Sequence, residues 1–256
     1  MTVTGHDTDK VRALRGLEDD RASVRLRAAL AVGSTPDPGF VGALVERCAV
    51  EPEFFVRDML TWALTRHPVS VTLPRLLREL HSERTRARSQ ALHTLSKIGD
   101  RRAWPAITRA FLTDADDEVA RSAWRAAVVL VPEGEEAALA GVLVSQLGRG
   151  GRETRLSLSQ ALVALGDAME SALAAAARNP DPLVRAHALA TQRLLRDPDA
   201  GFTLAVEEAK RVVALGGHGA SEGLEGSGGS GGVSGVGGSG GVSGSGGVSG
   251  SDEEGP

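Results

Sequence analysis

One pattern recurs six times along the chain: a β-branched residue, usually followed by arginine, then small or apolar residues at helical spacing. It reads Val24-Arg25 before Ala28 and Ala29, Val56-Arg57 before Leu60 and Ala63, and Thr85-Arg86 before Ser89 and Leu92. It continues as Val119-Ala120 before Ala123 and Ala127, Thr154-Arg155 before Leu158 and Leu162, and Val184-Arg185 before Ala188 and Leu189. The β-branched positions step by 32, 29, 34, 35 and 30 residues, a period that fits one helical hairpin per repeat. The body is rich in Ala, Leu, Val and Arg and has no Tyr, which favours helix over strand. A single hairpin of this kind buries too little apolar surface to stand alone, so neighbours must stack. The pattern predicts an all-α solenoid, an α-α superhelix of about six helical hairpins.

Punctuation residues support the division. Gly99-Asp100 closes one helix, and Pro105 is expected in the first turn of the next, where a missing N–H costs nothing. Asp181-Pro182 opens a helix with Asp181 as N-cap. Residues 1–7 read as a flexible lead, 8–215 as the repeats with a closing helix near Ala200 to Leu215, and 216–256 as a tail. That tail holds 19 of the 32 Gly, nine Ser, five acids and no base. The body is left with 29 bases against 28 acids. A Gly/Ser stretch with so few apolar residues is expected to stay disordered. Its chance matches to GxGxxG (Gly226, Gly228, Gly231) and GxSxG (Ser230, Ser239) follow no strand and carry no meaning.

The stretch Ile98-Gly99-Asp100-Arg101-Arg102-Ala103-Trp104-Pro105-Ala106-Ile107, followed by Asp116-Asp117-Glu118-Val119-Ala120-Arg121, resembles the HEAT repeat, in particular the HEAT-like units first named for phycobilin lyases. Leu165-Gly166-Asp167 and Asn179-Pro180-Asp181-Pro182-Leu183-Val184-Arg185 look like a diluted second copy. The resemblance covers about residues 8 to 200. It implies an armadillo-like helical fold and leaves function open, since such repeats serve scaffolds, nucleic-acid binders and a few enzymes.

The resemblance also implies a structural role for the recurrent arginines Arg25, Arg57, Arg86, Arg155 and Arg185, each pairing with acids and carbonyls of the turn before its helix. Glu53, Asp116, Asp181 and Asp20 are the expected acids; a phosphate-binding ladder is the competing reading. Residues 84 to 125 hold eight Arg and Lys97 against five acids. Arg84 with Arg88 and Arg121 with Arg125 share helix faces at i, i+4 spacing, and Arg152 opens the equivalent helix of the next repeat. These residues can form a cationic strip for an acidic partner segment, with a solvated, internally balanced face as the alternative. Trp124, flanked by Arg121 and Arg125, is the candidate surface anchor of that strip. Packing is the default reading for Trp62, Trp104 and Trp124 alike.

Recognisable catalytic chemistry is missing. None of His6, His67, His81, His93, His187 and His218 stands beside Glu in the dyads of the diiron relatives of HEAT proteins, and no pair has metallopeptidase spacing. His67-Pro68 reads as a helix end; His81, His93 and His187 read as surface or boundary residues, and Cys48 as a small core residue. No cofactor or metal is expected. The lone cysteine, the lack of an apolar leader and the lack of any membrane-length apolar run point to a cytoplasmic protein that meets no membrane. The expected role is a non-catalytic protein-interaction scaffold with a protein partner. Nucleic-acid binding or transcriptional regulation is the alternative, weakened because no DNA-binding head fits before the first repeat. A bilin lyase-like enzyme, implied by the subfamily name, is weaker still.

Overall fold

The computed structural model describes residues 5–197 together with Lys210. The disordered tail expected at 216–256 and the closing helix expected at 200–215 lie outside the described residues. So do the first four residues of the expected flexible lead.

Among the described residues the chain is helical and has no strand. Its α-helices are α1 (Gly5–Leu17), α2 (Ala22–Ser34), α3 (Val41–Val50), α4 (Phe54–Arg66), α5 (Val69–Glu79) and α6 (Thr85–Ile98), followed by α7 (Arg109–Leu112), α8 (Asp117–Leu130), α9 (Glu136–Val144), α10 (Arg152–Val163), α11 (Glu170–Ala176) and α12 (Pro182–Arg196). Since α1 begins at Gly5, the helical body starts inside the stretch expected to be a flexible lead. Each odd helix packs on the even helix that follows it. Even helices pack on even helices in chain order, and α1 on α3 and α3 on α5 begin the odd layer.

The even layer is close-packed because its contact positions are small. Ala28, Ala29, Ala63, Ala91, Ala120, Ala123, Ala127, Ala161 and Ala188 are all buried. Gly33 on α2 is the tightest approach: a Cβ there would collide with the Trp62 ring and come within 2.9 Å of the Ala63 main chain. Cys48 lies in this core, and burial pushes its thiol up to about 12.

The fourth hairpin departs from the pattern. Asp100 caps a 3-10 segment, Arg101–Ala106, by accepting from the Arg102 N–H, so Pro105 falls inside that segment and not in the first turn of an α-helix. Pro105 cannot donate the i→i−4 bond that an α-helix would need, and α7 is only four residues long. Gly99, with φ 69°, ends α6 in the left-handed conformation as expected.

The turns before the even helices share one construction. Their N-caps are Arg21, Glu53, Arg84, Asp116, Gly151 and Asp181, which step by 32, 31, 32, 35 and 30 residues. Four residues after the cap, Arg25, Arg57, Arg88 and Arg185 each donate Nη1 to two successive turn carbonyls, six and five residues back. The third-repeat member of the ladder is therefore Arg88. Arg86 instead reaches 35 residues back to the Glu51 carbonyl at 2.8 Å. Two residues before the cap, Asp19, Glu51, Ser82, Asp114 and Asn179 accept from the cap N–H. This position also supplies the partner acids: Arg25 forks onto Glu51 with two bonds of 2.7 Å, and Arg88 approaches Asp114 at 3.9 Å. The acids expected in that role do other work, since Asp116 and Asp181 cap backbone N–H groups.

The fifth repeat breaks the construction. Arg149 replaces the acceptor between two left-handed glycines, Gly148 and Gly150. Arg149 and Thr154 both bond Asp117 of the preceding repeat, and Arg155 has a buried Nε without a partner.

Glu51 is the densest node. Its fully buried carboxylate takes Arg25, Arg47 at 2.8 Å and the Glu53 N–H at 3.0 Å. Burial alone would raise this carboxyl, but the bonds from Arg25, Glu53 and Arg47 outweigh it and hold it down to about 2. Removing one partner of such a pair leaves the other charge buried and uncompensated. Glu51→Gln is expected to cost about 3–5 kcal/mol, read as a lower urea midpoint with unchanged slope. Gly33→Ala is also expected to lower the midpoint, because overpacking against a main-chain atom at about 1–3 kcal/mol exceeds the modest gain in helix propensity.

Candidate interaction groove

Across the even layer, α4, α6 and α8 leave two adjoining cavities of about 220 and 360 Å³ that share Arg57, Gln90 and Glu118 in their walls. Phe54, Asp58, His93, Arg121, Ser122 and Arg125 complete the first, and Thr85, Arg86, Ser89 and Asp116 complete the second. The residues arrive there because the first two turns of each even helix follow a cap and turn their non-core positions to one side.

Four arginines converge on this groove. Arg57 and Arg86 both donate to the Glu51 carbonyl, at 3.1 and 2.8 Å, so one acceptor holds two like charges together. Arg125 contacts the Ser122 hydroxyl at 3.3 Å. Partial desolvation first, and repulsion from Arg121 second, lower the Arg125 guanidinium below its usual value. Among the described residues no carboxylate forms a salt bridge with Arg57, Arg86 or Arg125. Arg121 is tied to Glu118 at 3.3 Å and Glu153 at 3.6 Å, both on exposed acids.

Aromatic surface borders the cations. Phe54 and Phe55 are 65% and 75% exposed, the most exposed large apolar side chains among the described residues, and they meet edge to face at 5.6 Å. The Arg57 guanidinium lies 5.9 Å from the Phe54 ring, within the range of a cation–π contact.

The strip expected from sequence is thus partly assembled. Arg121 and Arg125 sit in the groove. Arg84 caps α6 and reaches Glu79 at 3.5 Å. Arg88 is consumed by its turn carbonyls, and Arg152 lines neither cavity. Trp124 is no surface anchor: it is fully buried, and its indole N–H donates to the Leu112 carbonyl at 2.8 Å, fixing the short α7 onto α8. Phe54, Arg57 and Arg86 in the groove, with Phe55 beside it, are residues that the sequence reading did not select as an interaction surface. A Phe pair directly after Pro52-Glu53 in a chain with eight aromatics was the available signal.

One histidine also differs from expectation. His187 is no surface residue: it is buried on α12, where Nδ1 accepts from the Gly148 N–H at 3.0 Å. That fixes a neutral ring with its proton on Nε2, which lies 3.0 Å from both the Arg155 carbonyl and the Ser159 hydroxyl. Burial pulls His187 down to about 4. His93 is half-buried in the groove wall, and burial, followed by the charges of Arg125 and Lys97, lowers it to about 4 as well. His67 does end a helix as expected, with Nδ1 2.8 Å from the Ala63 carbonyl.

Among the described residues no cluster of His, Cys, Asp and Glu could hold a metal ion, and no helix is long and apolar enough to cross a membrane. No protein-family model matches the chain, and no curated protein matches it. The geometry therefore carries the functional reading.

A histidine whose folded pKa lies below its unfolded value favours the folded state fully above the unfolded pKa, and that contribution is lost as pH falls. Stability is expected to decline between pH 6.5 and about 4, above the range in which Glu51 titrates. His187→Gln should lower the thermal midpoint at pH 7.5 and flatten this decline, as followed by circular dichroism across a pH series.

Proposed function

We propose that the protein is a non-catalytic interaction scaffold, a HEAT-like α-solenoid that docks a segment of a protein partner along the groove between α4, α6 and α8. The observation that carries this reading is the meeting of Arg57, Arg86 and Arg125, which form no salt bridge among the described residues, with the exposed Phe54–Phe55 pair. Arginine is enriched among the few residues that dominate binding at protein interfaces, phenylalanine is enriched in interface composition, and charged groups held in place beforehand lose less entropy on binding. Stacked hairpins in two layers support the solenoid reading, because the even helices then form one wall whose residues need no ordering before they bind.

The partner segment is acidic with an apolar neighbour: carboxylates suit the guanidinium groups, and a bulky side chain suits the phenyl rings. Asp58, Asp116 and Glu118 stand among the arginines, and they would repel the unbroken charge of a polyphosphate. A nucleic acid, which is held by summed phosphate contacts, fits this interleaved wall less well than a peptide does. The lone, buried Cys48 suits a reducing, cytoplasmic setting.

A photo-crosslinking amino acid placed at Phe55 is expected to capture a discrete partner in cells, whereas the same group at Val71 on α5 captures none. Arg125→Glu should remove the Phe55 adduct while leaving the helical signal intact. Adducts that are the same from both positions, or that survive the charge reversal, would defeat the reading.

A further inference from the structure

We propose that the groove is occupied in cis by the acidic end of the chain's own tail, Asp252-Glu253-Glu254, which competes there with an external partner. This rests on the reading of the groove as a docking surface. Charge is the first argument. After Arg211 the chain has no base, and from Gly216 onward it carries five acids, three of them consecutive at 252–254. The body is electrically near balance, with 29 bases against 28 acids, so the chain's net charge of −4 belongs to the tail. In the groove, Arg57, Arg86 and Arg125 form no salt bridge with a carboxylate of the described residues, although Asp58, Asp116 and Glu118 line the same walls.

Geometry is the second argument. Arg86 gives one N–H to the Glu51 carbonyl and Arg57 gives Nη1 to the Glu51 and Pro52 carbonyls, which leaves the remaining N–H groups of both to form charge-assisted bonds. Two guanidinium groups side by side match consecutive carboxylates better than a lone acid, and Arg125 supplies the third cation.

Reach is the third. Helix α12 packs on α10, α10 on α8, α8 on α6 and α6 on α4. At 8–10 Å per step, the groove lies about 20–40 Å from the point where the chain leaves α12. A Gly/Ser-rich chain of the length between Gly216 and Asp252 has a root-mean-square span of about 33 Å. A flexible tether able to span its two sites gives an effective concentration on the order of mM. A weak intrinsic affinity therefore suffices to lower the apparent affinity of a competitor severalfold.

The test uses a fluorescent peptide of residues 246–256 in anisotropy titrations at low salt. It is added to the full chain and to the full chain carrying Asp252→Ser, Glu253→Ser and Glu254→Ser. The neutralised chain is expected to bind the peptide at least about 5-fold more tightly. Adding Arg125→Glu, or separately Arg86→Gln, to that chain should abolish binding while its helical signal stays intact. Equal affinity for the two chains, or no binding to the neutralised one, overturns the proposal. So does an affinity gap that grows with chain concentration, which would put the tail on a second copy. If the Phe55 crosslinks persist when the gap is absent, the tail proposal fails alone; if the crosslinks are absent as well, the docking reading fails with it.

Discussion

The structure depends on how the chain turns into each even helix. A tight turn at a helix entrance exposes carbonyls that the helix cannot satisfy. An arginine one turn into the helix reaches back and donates to two of these carbonyls at once, at positions 25, 57, 88 and 185. Hydrogen bonds from charged donors contribute roughly 1.5–3 kcal/mol each. The same guanidinium can extend to the acid of the following turn, as Arg25 does with Glu51. The turns at Glu51 and Asp114 are thereby also held from the preceding repeat. Where the acceptor becomes Arg149, the chain needs two left-handed glycines and a different set of bonds to Asp117.

That arrangement also determines which cations remain for recognition. An arginine occupied by turn carbonyls and an acid, such as Arg25, is structural whatever the local net charge. An arginine anchored through one N–H and open at its others is both positioned and available. Arg86 meets that description, and Arg57 does so in part, because its fork faces the turn while its plane lies against Phe54. Net charge over a window cannot separate the two kinds. The window from 84 to 125 counts Arg88, Arg101 and Arg102 with Arg125, although Arg88 belongs to its turn and Arg102 to Asp100.

Much of the helical pairing was legible because punctuation is local. Gly99, Asp181 and the alternation of small and large residues act within a few positions of where they stand. The arginine register in repeat three was not legible: Thr85-Arg86-Ala87-Arg88 offers two arginines, and the β-branched Thr85 favours the first. The cap lies at Arg84, so the position four residues on is Arg88, and Ala87 takes the buried place held elsewhere by Val or Thr. His187 was illegible for a different reason. Its partners, the Gly148 N–H and the Ser159 hydroxyl, lie 39 and 28 residues away, and a neutral histidine clamped between helices carries no local mark. Trp124 shows the limit of reading neighbours: flanking arginines at i−3 and i+1 say nothing about the face between them, which here is turned inward to α7.

Glu51 joins the two halves of the molecule's physics. Its carboxylate closes the first and second repeats through Arg25 and Arg47, while its carbonyl gathers Arg57 and Arg86 at the groove. Two guanidinium groups sharing one acceptor repel each other, and the surrounding fold must bear that cost when the groove is empty. An anion bridging them would remove the repulsion without moving either side chain. A ligand of that kind binds the folded state alone, because the unfolded chain keeps no such pair, and it therefore adds its own binding free energy to stability. Under the proposed docking, the ladder that holds the repeats together and the surface offered to an acidic segment meet at a single residue, Glu51.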